Sequence, residues 1–391
     1  MRNYRKILLT TLGMLFGLCL LLVAALAVGN LRLSERSTVI ETLSHGDKIR
    51  LAEYLHLRKQ LGEAVWPGWG TANIPVILYN EEYAFLMGYS DPPDGWVKVP
   101  AGIERGTAWE LVPDDSFLGQ PYYRQRLADP ETTPEAFTVM VGHRWVSSMP
   151  TLDWLRISLV DHLRDDLPPF VRSIFPYSLF TGQLVSGSDQ YISLSAHEAF
   201  HSFQGMMTPR KFASAELINQ YSDQYPWDDE SLQADWQKEL DTLADALRST
   251  DRAQTVELVR QFLTLRAARR ARANLSPELI AFERNREWLE GLARYSELEI
   301  WKQASTSDYV PVPETESLVD FEGYADFENR WSRELSQMTR MATDDGDGRF
   351  YYTGMAQAVL LDRLLPDWKT HAFEEEVWVE SLLDEVIMYE K

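Results

Sequence analysis

The sequence predicts an α+β protein: a mixed N-terminal α/β region with a small sheet, followed by a mainly helical C-terminal half. Two patterns lead to this prediction. Short apolar runs separated by Pro- and Gly-containing loops occupy much of the first half, and longer segments with apolar residues three to four positions apart follow residue 197. Hydrophobic residues make up 45% of the chain, which favours a well-packed globule over disorder.

Residues 7–28 form an uncharged apolar stretch that is long enough to cross a bilayer as a helix. Basic residues precede this stretch, which favours a cytoplasmic N-terminus. We therefore expect a cytoplasmic tail at 1–6, a single-pass transmembrane signal anchor at 7–28, and the rest of the chain outside the cell membrane, in the periplasm if the source is bacterial. A cleaved signal peptide is the alternative, because Ala25-Leu26-Ala27 resembles a small-residue cleavage site.

Composition indicates what stabilises the exported part and which class of partner is excluded. The one cysteine, Cys19, lies inside the apolar stretch, so a hydrophobic core rather than disulfides must stabilise the remainder. The net charge of −21 argues against nucleic acid as a partner.

We expect residues 29–185 to form the mixed α/β region. Apolar residues at helical spacing predict an amphipathic helix over 33–61, and Trp66–Gly70 interrupts that pattern. Asn80–Glu82 is typical of a hairpin turn. The expected strands lie at residues 74–79, 83–87, 137–141 and 190–194.

The segment His197-Glu198-Ala199-Phe200-His201 places two imidazoles four residues apart with a carboxylate between them. On a helix, positions i and i+4 share a face, so both rings can bind one metal ion, while Glu198, about 100° around the helix, can reach a water on that metal. We expect Gly205 to end this helix. Since the motif is short, a helix with two unrelated histidines is the alternative, and a third ligand would decide between them.

The third ligand is expected to be a carboxylate, because no other histidine lies in a comparable context. The best segment for it is Glu287–Glu297, which contains three glutamates: Glu287, Glu290 and Glu297.

In this segment the chain resembles the gluzincin peptidases, the clan of thermolysin and of the aminopeptidase N family. In the latter family the third zinc ligand is the Glu of an Asn-Glu-Gly-Phe-Ala-x-Tyr-x-Glu stretch, and residues 289–297 read Leu-Glu-Gly-Leu-Ala-Arg-Tyr-Ser-Glu. The resemblance implies a zincin-like catalytic region over 186–391, with one Zn²⁺ held by His197, His201 and Glu290. Gly291 would let the two site helices approach closely, and Glu297 could orient a ligand from behind it. Glu287, one turn before Glu290, is the alternative ligand.

The sequence departs from the family in spacing, because 89 positions separate His201 from Glu290 and the family's usual gap is about twenty. An inserted helical hairpin at about 206–275 would explain the difference. Its two helices are expected at 229–249 and 252–273. The second carries a run of arginines that we interpret as a solvated face. These arginines are Arg266, Arg269, Arg270 and Arg272.

A third place of resemblance is Tyr351-Tyr352-Thr353-Gly354, which is similar to the Tyr-x-Lys-Gly stretch of the aminopeptidase N family. There a phenol stabilises the tetrahedral intermediate, so Tyr351, with Tyr352 as the alternative, is implied to be catalytic. The clan also binds extended substrate on a sheet edge, which residues 180–186 would supply here.

Together these residues predict an extracytoplasmic zinc metallopeptidase that acts on peptide or protein substrates. Zinc lowers the pKa of its bound water to about 7, and Glu198 would accept the proton as general base. Two alternatives stay open. One is an inactive, peptidase-like binding or assembly protein of the cell envelope, and the other is a zinc hydrolase of another amide or ester.

Overall fold

The computed structural model describes residue 18 and residues 21–100, 102–127, 134, 138–184 and 187–389. It has an eight-stranded curled sheet in the N-terminal half and helices in the C-terminal half, which confirms the predicted α+β class at that level. The predicted tail at 1–6, most of the predicted anchor with Cys19, and Phe137 lie outside the described residues. Residues 21–30 are helical, and among the described residues no helix is both long and apolar enough to span a membrane.

The strands of the sheet are β1 Val76–Tyr79, β2 Tyr83–Met87, β3 Trp96–Lys98, β4 Glu104–Arg105, β5 Glu110–Leu111, β6 Tyr123–Arg126, β7 Thr138–Val141 and β8 Arg144–Pro150. Their order in the sheet is β4-β3-β7-β8-β1-β2-β6-β5. The only parallel pair among the described strands is β1 with β8, and the other neighbours run antiparallel.

The predicted hairpin is confirmed between β1 and β2. The Asn80 side chain closes its turn, because its Oδ1 accepts hydrogen bonds from the backbone N–H groups of Glu82 and Tyr83 at 2.9 and 2.8 Å. Alternate residues of β1 then face opposite sides of the sheet. Leu78 belongs to the large core shared with the helices, while Ile77 belongs to a smaller cluster on the other face.

Besides the helix at residues 21–30, the helices of the N-terminal half are His45–Val65, Leu152–Asp166, Pro169–Arg172 and Tyr177–Leu184. The later helices are Ser188–Met207, Pro209–Leu217, Glu230–Arg248, Arg252–Arg272, Pro277–Arg286, Leu292–Thr306, Phe327–Met338, Gly348–Leu364, Trp368–His371 and Val379–Tyr389, with a π-helical turn at Glu287–Gly291 and 3₁₀ turns at Ile218–Gln224, Pro313–Ser317 and Met341–Thr343. Three of them matter for the site. We call Ser188–Met207 the motif helix, Glu287–Gly291 the π turn and Gly348–Leu364 the tyrosine helix.

The motif helix packs on β8. The Tyr191 hydroxyl donates a hydrogen bond to the Pro150 carbonyl at 2.7 Å, and the Ser195 hydroxyl lies 2.9 Å from the Met149 sulfur. The strand expected at 190–194 is therefore wrong, since these residues form the first turns of the motif helix. Most of that helix is buried, so its side chains give no clear alternation of apolar and polar residues, and a short apolar run alone does not distinguish a strand from a helix.

Gly205 does not end the motif helix, which continues to Met207. A Cβ at Gly205 would overlap the Trp145 ring of β8. Glycine at this position therefore allows the helix to lie close to the sheet.

The first predicted helix begins later than expected, at His45 rather than at residue 33. The backbone before it bonds to distant side chains instead of to itself. The Ser37 N–H donates to Glu81 at 2.7 Å, and the Ile40 carbonyl accepts from Asn80 at 2.8 Å. The sheet edge expected at 180–186 is also wrong, because Tyr177–Leu184 is helical and residues 185–186 lie outside the described part.

The two hairpin helices are confirmed at Glu230–Arg248 and Arg252–Arg272, each with an aspartate at its N-cap. The interpretation of the arginine run as a solvated face is wrong for three of its four arginines and holds for Arg272, whose side chain is 56% exposed. Arg266 and Arg269 are each 1% exposed, and Arg270 is also largely covered. These three arginines form a buried ion-pair network with four glutamates: Glu239, Glu283, Glu287 and Glu380. Arg284, whose side chain is 39% exposed, joins the network from the surface through Glu380.

Candidate metal centre

The two histidines of the motif helix and one glutamate of the π turn converge on a single point. The Nε2 atoms of His197 and His201 lie 3.2 Å apart. The Glu290 Oε2 lies 3.4 Å from the first of these nitrogens and 3.3 Å from the second. All three side chains are buried, and such a group could bind a metal ion. We call His197, His201 and Glu290 the ligand group.

The π turn separates the directions of Glu287 and Glu290. Three residues apart on an α-helix they would lie near one face, but the wider winding of a π turn rotates them apart. Glu287 points to the hairpin, where it pairs with Arg266 at 2.5 Å and accepts a hydrogen bond from Thr353 at 2.6 Å. The alternative ligand of the sequence analysis therefore lies outside the group, and Glu290 lies inside it.

Gly291 allows close approach, but to a different element from the one expected. A Cβ at Gly291 would overlap the Gly354 backbone, and a Cβ at Gly354 would overlap the Glu287 carbonyl. The paired glycines thus bring the tyrosine helix, rather than the motif helix, against the π turn. This contact places Tyr351 beside the ligand group.

Glu297 lies behind His197, as expected. Its Oε2 is 3.5 Å from His197 Nδ1, an ion-pair distance at the outer limit of hydrogen bonding. Arg294 donates to the same oxygen at 2.6 Å, and Arg330 pairs with the other carboxylate oxygen. Burial would raise the pKa of Glu297, but these guanidinium groups and His197 hold it well below its usual range. Glu297 is therefore a fixed negative charge that faces the far side of the His197 ring.

The surroundings of His197 favour positive charge. Burial alone would lower its pKa, but the carboxylates of Glu290, Glu297 and Glu198 outweigh burial and raise it to about 10. A cation bound between the imidazoles would meet the same negative potential.

Glu198 is buried beside His197 and lines the same cavity. Its Oε2 has no hydrogen-bond partner among the described residues. Burial raises the pKa of Glu198 well above its usual range; the charge of His197 opposes this shift, and those of Glu290 and Glu297 add to it. A buried carboxyl with a free oxygen beside the ligand group can exchange a proton with a small molecule there.

The two neighbouring tyrosines occupy different positions. The Tyr351 ring lies nearly parallel to the His197 ring, with centroids 6.0 Å apart and planes 9° apart. Burial and the nearby Glu290 carboxylate raise the pKa of Tyr351 well above its usual range. The Tyr352 ring lies 6.0 Å from the Arg294 guanidinium. Burial raises the pKa of Tyr352 to about 12. Both line the cavity, and Tyr351 is the one in contact with the ligand group.

The sequence analysis did not single out Arg286 and Asp347. Arg286 donates to Glu290 Oε1 at 2.9 Å and also pairs with Asp347, the N-cap residue of the tyrosine helix. It thereby occupies the glutamate oxygen that faces away from the histidines. Its position one helical turn before Glu290 was the available signal, since charged side chains at i and i+4 meet on a helix.

A cavity of about 1090 Å³ opens on this group. Its wall combines the site residues with charged and polar side chains from elements that the sequence analysis did not connect. β3 contributes Lys98 to this wall, helix Pro209–Leu217 contributes Glu216, and the 3₁₀ turn that follows this helix contributes Asn219. The volume slightly exceeds the roughly 300–1,000 Å³ typical of ligand pockets.

Comparisons of the chain with protein-family models, with curated proteins and with solved structures found no match.

Proposed function

We propose that this protein is a zinc-dependent metallopeptidase with a zincin-like catalytic region. The observation that carries the proposal is the near-equilateral triangle of His197 Nε2, His201 Nε2 and Glu290 Oε2, with Glu198 beside it at the wall of a large cavity. Two histidines and one glutamate are a ligand set of catalytic zinc, which leaves a coordination position open.

The edges of the triangle support zinc. Ligand distances of about 2.0 to 2.2 Å and tetrahedral angles separate ligand atoms by about 3.3 to 3.5 Å. The three edges measure 3.2, 3.3 and 3.4 Å. These edges fit a tetrahedral zinc site.

The chemistry then follows from the positions of the side chains. Zinc in such a site lowers the pKa of a bound water to about 7 and polarises carbonyl groups. Glu198 Oε2, which has no partner among the described residues, would accept a proton from water and deliver it to the departing amine. The Tyr351 hydroxyl would donate a hydrogen bond to the oxyanion that develops on the substrate carbonyl.

The site favours an active enzyme over an inactive relative. A binding protein needs no unpartnered carboxylate in its interior, because a buried carboxyl oxygen without a hydrogen bond costs about 1–3 kcal/mol or more. Glu198 has such an oxygen among the described residues, 7% of its surface is exposed, and it lines the cavity. A general base, in contrast, needs a carboxylate oxygen that is free to accept a proton at the cavity wall.

We also propose that residues 7–28 anchor the protein in the cell membrane with the site outside the cytoplasm. Residues 21–30 are helical and expose apolar side chains, including Leu21 and Leu22. The Asn30 side chain joins the end of this helix to the domain by donating to the carbonyls of Ser173 and Phe175 at 3.0 and 2.9 Å. Full-length protein should sediment with membranes and resist extraction by high salt, and recovery in the soluble fraction would refute the anchor.

The test of the activity uses the full chain in detergent. Metal content is measured by mass spectrometry, and cleavage of a mixed peptide library is followed with and without a chelator. We expect about one zinc per chain and cleavage that chelation abolishes. Glu198→Gln should keep the metal and lose about 10²- to 10⁴-fold in rate, because the amide cannot accept the proton.

Glu299→Gln is the matched control. Glu299 is 8% exposed on the helix that carries Glu297, but it pairs with Lys302 and does not line the cavity. This variant should cleave as the wild type does. Metal binding without any cleavage of peptides would favour the assembly protein, and cleavage of amide or ester probes alone would favour a hydrolase of another class.

A further inference from the structure

Gln204 connects His201 with the π turn, which carries Glu290. It lies on the motif helix three positions after His201 and is fully buried. Its Oε1 is 3.0 Å from His201 Nδ1. Its Nε2 donates to the backbone carbonyls of Trp288 at 2.8 Å and of Leu289 at 3.2 Å, immediately before Glu290.

These contacts fix the orientation of the amide. Backbone carbonyls can only accept hydrogen bonds, so the NH₂ group must face Trp288 and Leu289. The Gln204 oxygen must then face His201, and an oxygen without a proton requires that His201 Nδ1 carry the hydrogen. A neutral imidazole has one N–H, so its lone pair lies on Nε2, the atom that faces His197 and Glu290.

We infer that Gln204 is a positioning residue that selects the metal-binding tautomer of His201 and couples it to the segment that carries Glu290. It acts on His201 by orienting the imidazole ring. It acts on Glu290 by binding two carbonyls of the π turn that carries this residue. This inference rests on the proposed metal site and does not depend on which substrate is cleaved.

The surroundings exclude a purely space-filling role. A π turn leaves backbone carbonyls without the regular partners of an α-helix, and buried carbonyls require donors. Gln204 supplies donors to two of them. Its length matters, because a side chain shorter by one methylene could not reach the carbonyls and the His201 ring together.

The test measures zinc affinity by competition with a chelator in the full-chain protein. Gln204→Met keeps the size of the side chain but removes all three hydrogen bonds. We expect its zinc affinity to fall about 10- to 100-fold, the range for removing a partner of a metal-bound histidine. Gln204→Glu keeps an acceptor for His201 but points a carboxylate at two carbonyl oxygens, so its affinity should fall as well.

Gln357→Met is the matched control. Gln357 is also fully buried, on the tyrosine helix, but its amide donates to the Thr353 carbonyl and contacts no ligand. This variant should bind zinc as the wild type does. A fall in zinc affinity for Gln357→Met as large as that for Gln204→Met would mean a general loss of packing and would overturn the inference.

Three further outcomes separate the inference from the proposed function. Wild-type affinity in Gln204→Met would overturn the role of Gln204 while leaving the metal site intact, and wild-type affinity in Gln204→Glu would overturn the coupling to the π turn. Absence of zinc binding by the wild type would overturn the metal site itself. If Gln204→Met does not fold, Gln204→Asn is used instead, since its amide is too short to reach the two carbonyls and the His201 ring together. Its zinc affinity should also fall, and wild-type affinity would overturn the inference.

Discussion

Replacing Arg266 by Met should destabilise the protein strongly although no ligand is touched. Arg266 is 1% exposed and pairs with Glu239, Glu287 and Glu380. After the substitution Glu239 keeps Arg269, and Glu380 keeps Arg270. Among the described residues Glu287 would keep the Thr353 hydroxyl but no cation. The change therefore leaves a buried carboxylate three residues before the ligand Glu290.

The magnitude follows from that uncompensated charge. Removing one partner of a buried ion pair costs about 3–5 kcal/mol. At about 2 °C per kcal/mol for a domain of this size, the melting temperature should fall by roughly 6–10 °C. Zinc affinity should also fall, because the π turn that carries Glu290 loses its attachment to the hairpin.

The assay is thermal unfolding followed by circular dichroism, with zinc affinity measured on the same preparations. Arg272→Met is the matched control on the same helix, since the Arg272 side chain is 56% exposed and its partner Asp235 keeps a second cation, Lys238. Exposed pairs contribute about 0–1 kcal/mol, so this variant should melt within a few degrees of the wild type. Equal shifts in the two variants would refute the assignment of the network to the stability of the site.

Three further changes test other parts of the structure. Gly354→Ala should lower zinc affinity and stability together, by about 1–3 kcal/mol in unfolding free energy, because the new Cβ would push the tyrosine helix off Gly291 and the rest of the π turn; unchanged zinc affinity in chelator competition would contradict this contact. Burial would raise the pKa of Glu283, but the guanidinium groups around it lower it to about 2. The stabilisation from this carboxylate is therefore complete above about pH 4.5 and is lost as the pH falls towards 2, up to about 3 kcal/mol, and urea titrations of Glu283→Gln should show a flatter pH dependence. Tyr351→Phe should keep zinc and lose about 10²-fold in kcat, whereas Tyr352→Phe should lose much less, and the reverse order in peptide cleavage assays would exchange their roles.

Residue chemistry and spacing predicted the His197 and His201 pair because a helix has one geometry. Any helix over this segment puts both imidazoles on one face, whatever surrounds it. The approach of Glu290 from 89 positions away is different, because it depends on how the intervening hairpin returns the chain. The resemblance to gluzincins pointed to Glu290, and the π turn explains why Glu287 faces elsewhere.

The arginine run shows where pattern alone fails. Four arginines within seven residues of one helix are typical of a solvated face, but their environment is decided by what packs against that helix. Here Glu239 comes from the partner helix of the hairpin, Glu283 and Glu287 from the next segment, and Glu380 from near the C-terminus. No local pattern contains those four positions together.

The sequence alone was enough for the α+β class, the hairpin at Asn80, the two hairpin helices and the histidine pair, because each depends on interactions between residues close in the chain. Only the folded structure decided which glutamate joins the histidines, which tyrosine lies beside them, and that Gln204 contacts His201 and Arg286 contacts Glu290. These contacts link segments far apart in sequence, and their geometry depends on packing, such as the approach of Gly291 to Gly354, that a linear pattern does not record.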